Sequence, residues 1–305
     1  MSLSAQMHHV RVIGTNMVHL GTKAHFLLSF EEYGDYSRSM SAEYEIRNQT
    51  EQSLVVENAH FAVSGYCFVC RQPVSFLADC NHGFRNADSQ IIPNWRECLI
   101  CPGCRLNNRM RAAIHLFHEL CHPRPASSLY ITEQKTPTYR WFRGNFVHAV
   151  GSEFLGSGVL PGAENNRGIR HEDLTRLSFG DEQFDFVLSF DVFEHIPNYR
   201  KAFSECRRVL KKGGVLLFTI PFDRQSLQNV IRAELLPDGT THHIMPPEYH
   251  GDPLQTNGCL CFRHFGWECL AELKNEGFSE PACYLYWSRE YGYLGGEQLL
   301  FMSAA

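Results

Sequence analysis

Two short apolar runs enclosing an amphipathic helix, between Phe184 and Ile220, restrict this chain more than any other feature. Phe184 to Ser189, FDFVLS, is apolar enough to be covered on both faces, as a strand of a parallel sheet is. From Tyr199 to Leu210 the apolar positions Ala202, Phe203, Cys206, Val209 and Leu210 recur three or four apart, which predicts one buried helix face. Lys211 and Lys212 suit the negative end of that helix, and Gly213-Gly214 suit a left-handed stop. Val215 to Ile220 repeats the buried-strand composition. Strand, helix and strand with short links predict a right-handed parallel crossover, hence an α/β, doubly wound and mostly parallel sheet. The loop FDVFEHIPN leaves the carboxyl end of the first strand, where open α/β sheets bind ligands.

The rest of the composition narrows the class. In 305 residues, 44% hydrophobic and 20% charged content describes a globular chain, and a net charge of −5 gives no reason to expect non-specific nucleic-acid binding. No run reaches the length of apolar residues that a membrane span needs, and the first residues lack an export signal. Twelve cysteines therefore call for a reason other than secretion. Four form two knuckles, Cys67-Phe68-Val69-Cys70 and Cys101-Pro102-Gly103-Cys104, thirty residues apart. A tetrahedral zinc ion takes four thiolates, and a CxxC turn places two on one side of it, so Cys67, Cys70, Cys101 and Cys104 predict a closed structural zinc site in a reducing cytoplasm. Cys80 and Cys98 lack the paired spacing.

After the second knuckle, Leu106, Met110, Ala113, Ile114, Phe117 and Leu120 form a helical stripe. Arg105, Arg109 and Arg111 at its start read as a solvated face or as salt-bridge partners of a neighbouring domain. His122-Pro123-Arg124-Pro125 breaks the helix. The expected organisation is an N-terminal extension (1–60) with a helix near 42–54, a zinc module with its helix (61–122) acting as a structural lid, and an α/β domain (123–305) with an insertion at 223–258.

The run FDFVLSFDVFEHIPNYRKAFSECRRVLKKGGVLLFTIPF resembles the strand-four and strand-five region of class I S-adenosylmethionine-dependent methyltransferases, closest to the small-molecule branch with an EH pair after strand four. The resemblance extends over about Ser128 to Ala305. It implies a seven-stranded Rossmann-like sheet, S-adenosylmethionine as cofactor and methyl transfer to oxygen or nitrogen of a small-molecule acceptor. Strand one would be Ser128–Thr132, ending at Glu133, with a helix near Thr138–Arg143. Strand two would be Phe146–Gly151, ending at Ser152-Glu153, and strand three Ile169–Glu172, ending at Asp173-Leu174. Leu155 to Asn166 is glycine-rich, so the helix between strands two and three is expected to be reduced. A helix over Phe265–Glu276 and strands at Ala282–Trp287 and Gln298–Met302, the last antiparallel, would close the sheet.

By the same resemblance, Glu153 would accept hydrogen bonds from the ribose hydroxyls. Asp173 would meet the adenine amino group and Leu174 would offer its N–H to a ring nitrogen. Ser189 and Phe190 would border the methionine part, and Asp191 would line the cofactor pocket beside them. One stretch departs from the family. Its glycine-rich turn after strand one is replaced by ITEQKTP, with no glycine between Ala126 and Arg143, so cofactor contact there would fall to the side chains of Glu133, Gln134 and Thr136.

Asp191, Glu194 and His195 are expected to face the crevice or the following helix, and His195 has the intrinsic pKa of a general base. In the insertion, THHIMPPEYHGDP packs His242, His243, Glu248, His250 and Asp252 into eleven residues. Turn formation, acceptor contact through His250 and Asp252, and binding of a second metal all fit that cluster. The alternative to an enzyme is a catalytically silent methyltransferase fold serving as a zinc-containing interaction or nucleic-acid-binding module. No signal in the chain bears on oligomeric state.

Overall fold

The computed structural model describes residues 23–56, 60–86, 88–251, 254 and 256–305. The chain begins with strand β1 (Lys23–Leu27) and helices α1 (Phe30–Ser39) and α2 (Ser41–Leu54). A hairpin of β2 (His60–Cys67) and β3 (Gln72–Asp79) leads through a mostly irregular segment into α3 (Asn108–Cys121). The α/β part follows as β4 (Ser128–Ile131), α4 (Pro137–Asn145), β5 (His148–Gly151), β6 (Phe184–Phe190), α5 (Tyr199–Val209), β7 (Leu210–Thr219), α6 (Glu268–Asn275), β8 (Ser279–Ser288) and β9 (Tyr293–Ala304).

Seven strands make the central sheet in the order β1-β8-β9-β7-β6-β4-β5. The β4–β5, β4–β6 and β6–β7 pairs are parallel, whereas β9 runs antiparallel between β7 and β8. Side chains alternate between two cores. Tyr130, Val187 and Phe218 face α5 and α6, while Leu129, Ile131, Leu188 and Leu217 face α3 and α4. Covering both faces explains why β4 and β6 read as unbroken apolar runs.

The predicted count of seven is met by different members. The segment predicted as strand three, 169–172, joins the sheet only through a parallel bridge of His171 to Glu153, with Glu153 N–H donating to Arg170 O at 2.9 Å and Glu172 N–H to Glu153 O at 3.2 Å. Asp173 stops it there. Its Oδ1 accepts from the backbone N–H (2.8 Å) and hydroxyl (2.7 Å) of Thr175, an Asx turn that bends the chain away. The seventh strand is β1, pairing antiparallel with β8 from Lys23–Trp287 to Leu27–Cys283. As the reduced connection predicted, no helix forms among the described residues between β5 and β6.

Gly213-Gly214 does not stop α5 either. The helix ends at Val209 and Leu210 is already extended, so residues 210–214 belong to β7. Gly213 takes a φ of +73° where the β6–β7 register shifts, and Lys211 Nζ reaches Asp185 at 2.8 Å across the two strands.

The N-terminal helices clamp the β8–β9 end of the sheet. Glu51 of α2 accepts from Trp287 Nε1 at 2.7 Å and from Gly295 N–H at 2.8 Å. Glu297 of β9, its side chain buried, accepts from the hydroxyls of Tyr36 and Tyr44 and lies 3.4 Å from Arg47. Arg111 of α3 is fully buried with its guanidinium 3.8 Å from the Phe76 ring centroid, and it donates to carbonyls of Leu99, Tyr291 and Gly292. This arginine locks the β2–β3 hairpin and α3 to the β8–β9 connection.

Candidate active site

Strand order reverses between β4 and β6, since β4 is followed on one side by β5 and β6 on the other by β7. At such a switch point the outgoing loops separate and leave a crevice at the carboxyl ends of the strands. A cleft of about 2190 Å³ opens there. Its floor is the ends of β4 and β6, and its walls include Gln49 and Gln52 of α2, the segment Asn94–Glu97, and Tyr249 and His250 of the insertion.

The glycine-free turn after β4 is held by Glu153, whose Oε1 accepts from the backbone N–H groups of Gln134 and Lys135, both at 2.7 Å. A carboxylate thus does what a glycine-rich loop does by bending freely. The close approach is supplied from the neighbouring strand. A Cβ on Gly151 would lie 2.5 Å from Glu133 O and 2.4 Å from the Tyr139 ring, so only glycine admits the turn against β5. Gln134 points away from the crevice, bonding Gly168 O (2.9 Å) and Arg170 N–H (2.8 Å), and thereby fixes the 165–170 loop. Thr136 caps α4 by accepting from Tyr139 N–H at 3.1 Å, and it lines the cleft.

Glu133 also lines the cleft, and its Oε1 is buried without a hydrogen-bond partner. Burial pushes its carboxyl up to about 7, against the opposing pull of Thr136 and Arg109. Asp173 and Leu174 reach the same cleft from the chain beyond Glu172. Ser189 is buried inside the sheet, accepting from Thr132 Oγ1 at 3.1 Å, while Phe190 and Asp191 form the wall beyond it.

Asp191 takes a left-handed φ of +53°, uncommon for a non-glycine residue. Its carboxylate receives both terminal nitrogens of Arg96 at 2.8 Å and the Thr219 hydroxyl at 2.8 Å, with Arg109 Nε at 3.4 Å. Burial alone would raise its pKa, but Arg109 and Arg96 outweigh that and hold it well below the usual carboxylate range. Arg109 therefore pairs across to the loop that leaves β6, and Arg111 is core rather than a solvated face. Nothing local in the sequence marks Arg96 for this pairing, since its partner lies 95 positions away.

The 3₁₀ turn Phe193–His195 presents the EH pair. His195 Nδ1 lies 2.8 Å from Leu260 O. A carbonyl only accepts, so Nδ1 carries a hydrogen; in the neutral ring Nε2, 3.6 Å from Glu194 Oε1, has the lone pair. His250 comes from the insertion, with Nδ1 3.5 Å from Glu194 Oε1 and Nε2 2.8 Å from Glu248 Oε1. His195 and His250 both line the cleft, their ring centroids 5.0 Å apart. His242 and His243 stand exposed on a separate ribbon, and Asp252 lies outside the described residues. Cys261 and His264 complete this neighbourhood, His264 Nε2 lying 3.0 Å from Glu248 Oε1. Neither residue stands in a recognisable motif.

The four knuckle cysteines converge. Cys67 Sγ lies 3.8 Å from Cys104 Sγ and Cys70 Sγ 3.7 Å from Cys101 Sγ, with all four sulfurs within 4.8 Å of one another. Four sulfurs at about 2.3 Å from a tetrahedral zinc ion stand about 3.8 Å apart, so the donor set fits that ion.

Comparison with known proteins points to the same region. A family model described as a methyltransferase domain matches residues 158–218, from the connection after β5 through β6 and α5 into β7. A probable S-adenosylmethionine-dependent methyltransferase of Mycolicibacterium smegmatis is 43% identical over 53 residues, covering 17% of this chain and 21% of its own. An uncharacterised protein of Methanocaldococcus jannaschii is 38% identical over 71 residues, 23% of this chain and 29% of its own. The chain thus spans under a third of the length of either relative. Among solved structures, an S-adenosylmethionine-dependent methyltransferase from Mesorhizobium loti aligns with a TM-score of 0.37 and 14% identity, over 60% of this chain and 93% of its own. No helix among the described residues is long and apolar enough to cross a membrane.

Proposed function

We propose that this chain transfers a methyl group from S-adenosylmethionine to an oxygen or nitrogen of a small-molecule acceptor. The observation that carries this reading is a coincidence of place. The residues matched by the methyltransferase-domain family, 158–218, include the β6 end and the loop that floor the switch-point cleft.

The bound cofactor supplies a sulfonium whose methyl group is electrophilic; the chain's own residues supply position. Glu133 offers a buried carboxylate oxygen that lacks a donor, which a ribose hydroxyl would satisfy. Glu153 acts mainly through the turn it holds. Asp173 and Leu174 would flank the adenine, and Phe190 and Asp191 the methionine part. The acceptor would lie beneath the insertion, where His195 Nε2 presents a lone pair and His250 stands opposite. Cys67, Cys70, Cys101 and Cys104 would hold a structural zinc ion, which fixes the segment carrying Arg96 and Arg109 against Asp191. Thiolate ligation of this kind suits a reducing compartment, in line with a cytoplasmic protein.

The turn ITEQKTP is the one feature that speaks for a silent scaffold, and its packing against Gly151 speaks against that. A thermal-shift comparison tests the reading. S-adenosylmethionine and S-adenosylhomocysteine at about 100 times their dissociation constants should each stabilise the fold by about 2.7 kcal/mol, and reduced nicotinamide dinucleotide should not. Equal stabilisation by all three, or by none, contradicts it.

A further inference from the structure

We infer that Glu194, His195 and His250 form a binding site for a divalent transition-metal ion at the edge of the cleft, distinct from the four-cysteine site. Glu194 is the starting point. Its side chain is fully buried and neither carboxylate oxygen accepts a hydrogen bond. A buried carboxylate without donors is costly unless it takes up a proton or a cation compensates it.

Two imidazole nitrogens approach it, His195 Nε2 at 3.6 Å and His250 Nδ1 at 3.5 Å from Oε1. Both distances are long for hydrogen bonds. Two ligands each at about 2.0–2.1 Å from one ion stand about 2.9–3.4 Å apart, so a few tenths of an ångström of adjustment would close the three donors around a metal. The other nitrogen of each ring is already committed outward, His195 Nδ1 to Leu260 O and His250 Nε2 to Glu248 Oε1, both at 2.8 Å. That is how metal-binding histidines are oriented, a carbonyl or carboxylate fixing the tautomer so that the lone pair faces the ion. The backbone adds to it, since Phe262 N–H donates to Glu194 O at 2.8 Å and joins the 3₁₀ turn to the strand beside His264.

A second cluster, Glu248, His250 and Cys261, lies next to the first but is satisfied without a metal. Glu248 is matched by His250, His264 and Arg232, and Cys261 Sγ donates to Arg263 O at 3.2 Å. Two imidazoles and one carboxylate favour iron, manganese, cobalt or zinc over magnesium or calcium. Three ligands leave coordination positions open towards the cleft, which both histidines line. On the methyl-transfer reading, those positions would take an oxygen donor of the acceptor. That role rests on the reading; metal binding itself does not.

Cobalt(II) titration of the full chain, carrying one equivalent of zinc in the four-cysteine site and no cofactor, tests the site. The wild type should retain about one equivalent of cobalt through gel filtration, with visible ligand-field bands and no thiolate-to-metal charge transfer. Glu194→Gln and His250→Ala should each weaken this binding by about tenfold or more. Cys261→Ser should leave it unchanged. Melting curves establish that each variant is folded, and the two ligand variants come from different segments, so either one, folded, decides the test. Cobalt retention by Glu194→Gln equal to that of wild type overturns the proposal, as does loss in Cys261→Ser or a thiolate charge-transfer band. Cobalt binding without S-adenosylhomocysteine binding would keep the metal site and remove the methyl-transfer reading.

Discussion

Arg96 grips Asp191 with both terminal nitrogens, each 2.8 Å from one carboxylate oxygen. The pair ties the segment between the cysteine knuckles to the loop that leaves β6. Arg109 of α3 supports it from 3.4 Å, so the cysteine-bearing part holds the crevice wall in place through one carboxylate. The left-handed backbone at Asp191 is kept by these partners rather than by local preference.

Removing Asp191 leaves Arg96 and Arg109 with Glu97 alone, whose Oε1 lies 2.5 Å from Arg96 Nη1 and 2.6 Å from Arg109 Nε. Asp191→Ala should cost about 3–5 kcal/mol in urea denaturation, and Arg96→Ala less, since Arg109 and Thr219 remain. The pH dependence has a definite sign. The folded pKa of Asp191 lies below its unfolded value, so its contribution is fully present above the ordinary aspartate value of 3.8 and fades as pH falls below it. In the Asp191 variant that acid-side loss should shrink. An unchanged acid limb would contradict the account.

Glu133 behaves oppositely. Its folded pKa, about 7, lies above the ordinary glutamate value of 4.5. The folded state therefore binds its proton more tightly, and this contribution, full below pH 4.5, is lost as pH rises towards 7. Glu133→Gln should make the cofactor-free protein more stable than wild type at pH 8, on the order of 1–3 kcal/mol, and little different near pH 4. The same substitution should weaken S-adenosylhomocysteine binding. Parallel urea midpoints at both pH values check the first part, and identical midpoints would refute it.

Gly151→Ala should disturb the turn after β4. Tyr139 can rotate away from the added methyl group, but Glu133 O is backbone and must shift. About 1–3 kcal/mol of stability should be lost, with weaker cofactor binding. A neutral result would mean that the turn does not need its packing on β5.

Cys104→Ser should lower the zinc content measured on purified protein and reduce the melting temperature, because the segment carrying Arg96 and the base of α3 lose their anchor. A chain that purifies without zinc under reducing conditions would exclude the structural ion.

What the sequence made legible was local. Phe184–Ser189 and the stripe of Tyr199–Leu210 marked β6 and α5 within a residue, because buried parallel strands and one-sided helices leave periodic traces. The cysteine knuckles were legible too, because each CxxC turn brings two sulfurs together and the four converge. Non-local features were not. β1 is a sheet strand only because β8, more than 250 positions later, lies open beside it. Arg96 gave no sign of Asp191, and the role of Glu153 in holding Gln134 and Lys135 follows from a turn that departs from the usual glycine-rich one. The sequence points to His195 as a candidate base, whereas Glu194, the residue beside it, is the one whose burial demands an explanation.

The most direct measurement is calorimetric titration of the folded, zinc-loaded chain with S-adenosylhomocysteine. The account predicts saturable binding to one site per chain, weakened in Glu133→Gln and in Gly151→Ala. No binding, in protein whose melting transition is intact, would contradict the claim that the cleft between β4 and β6 is a methyltransferase cofactor site.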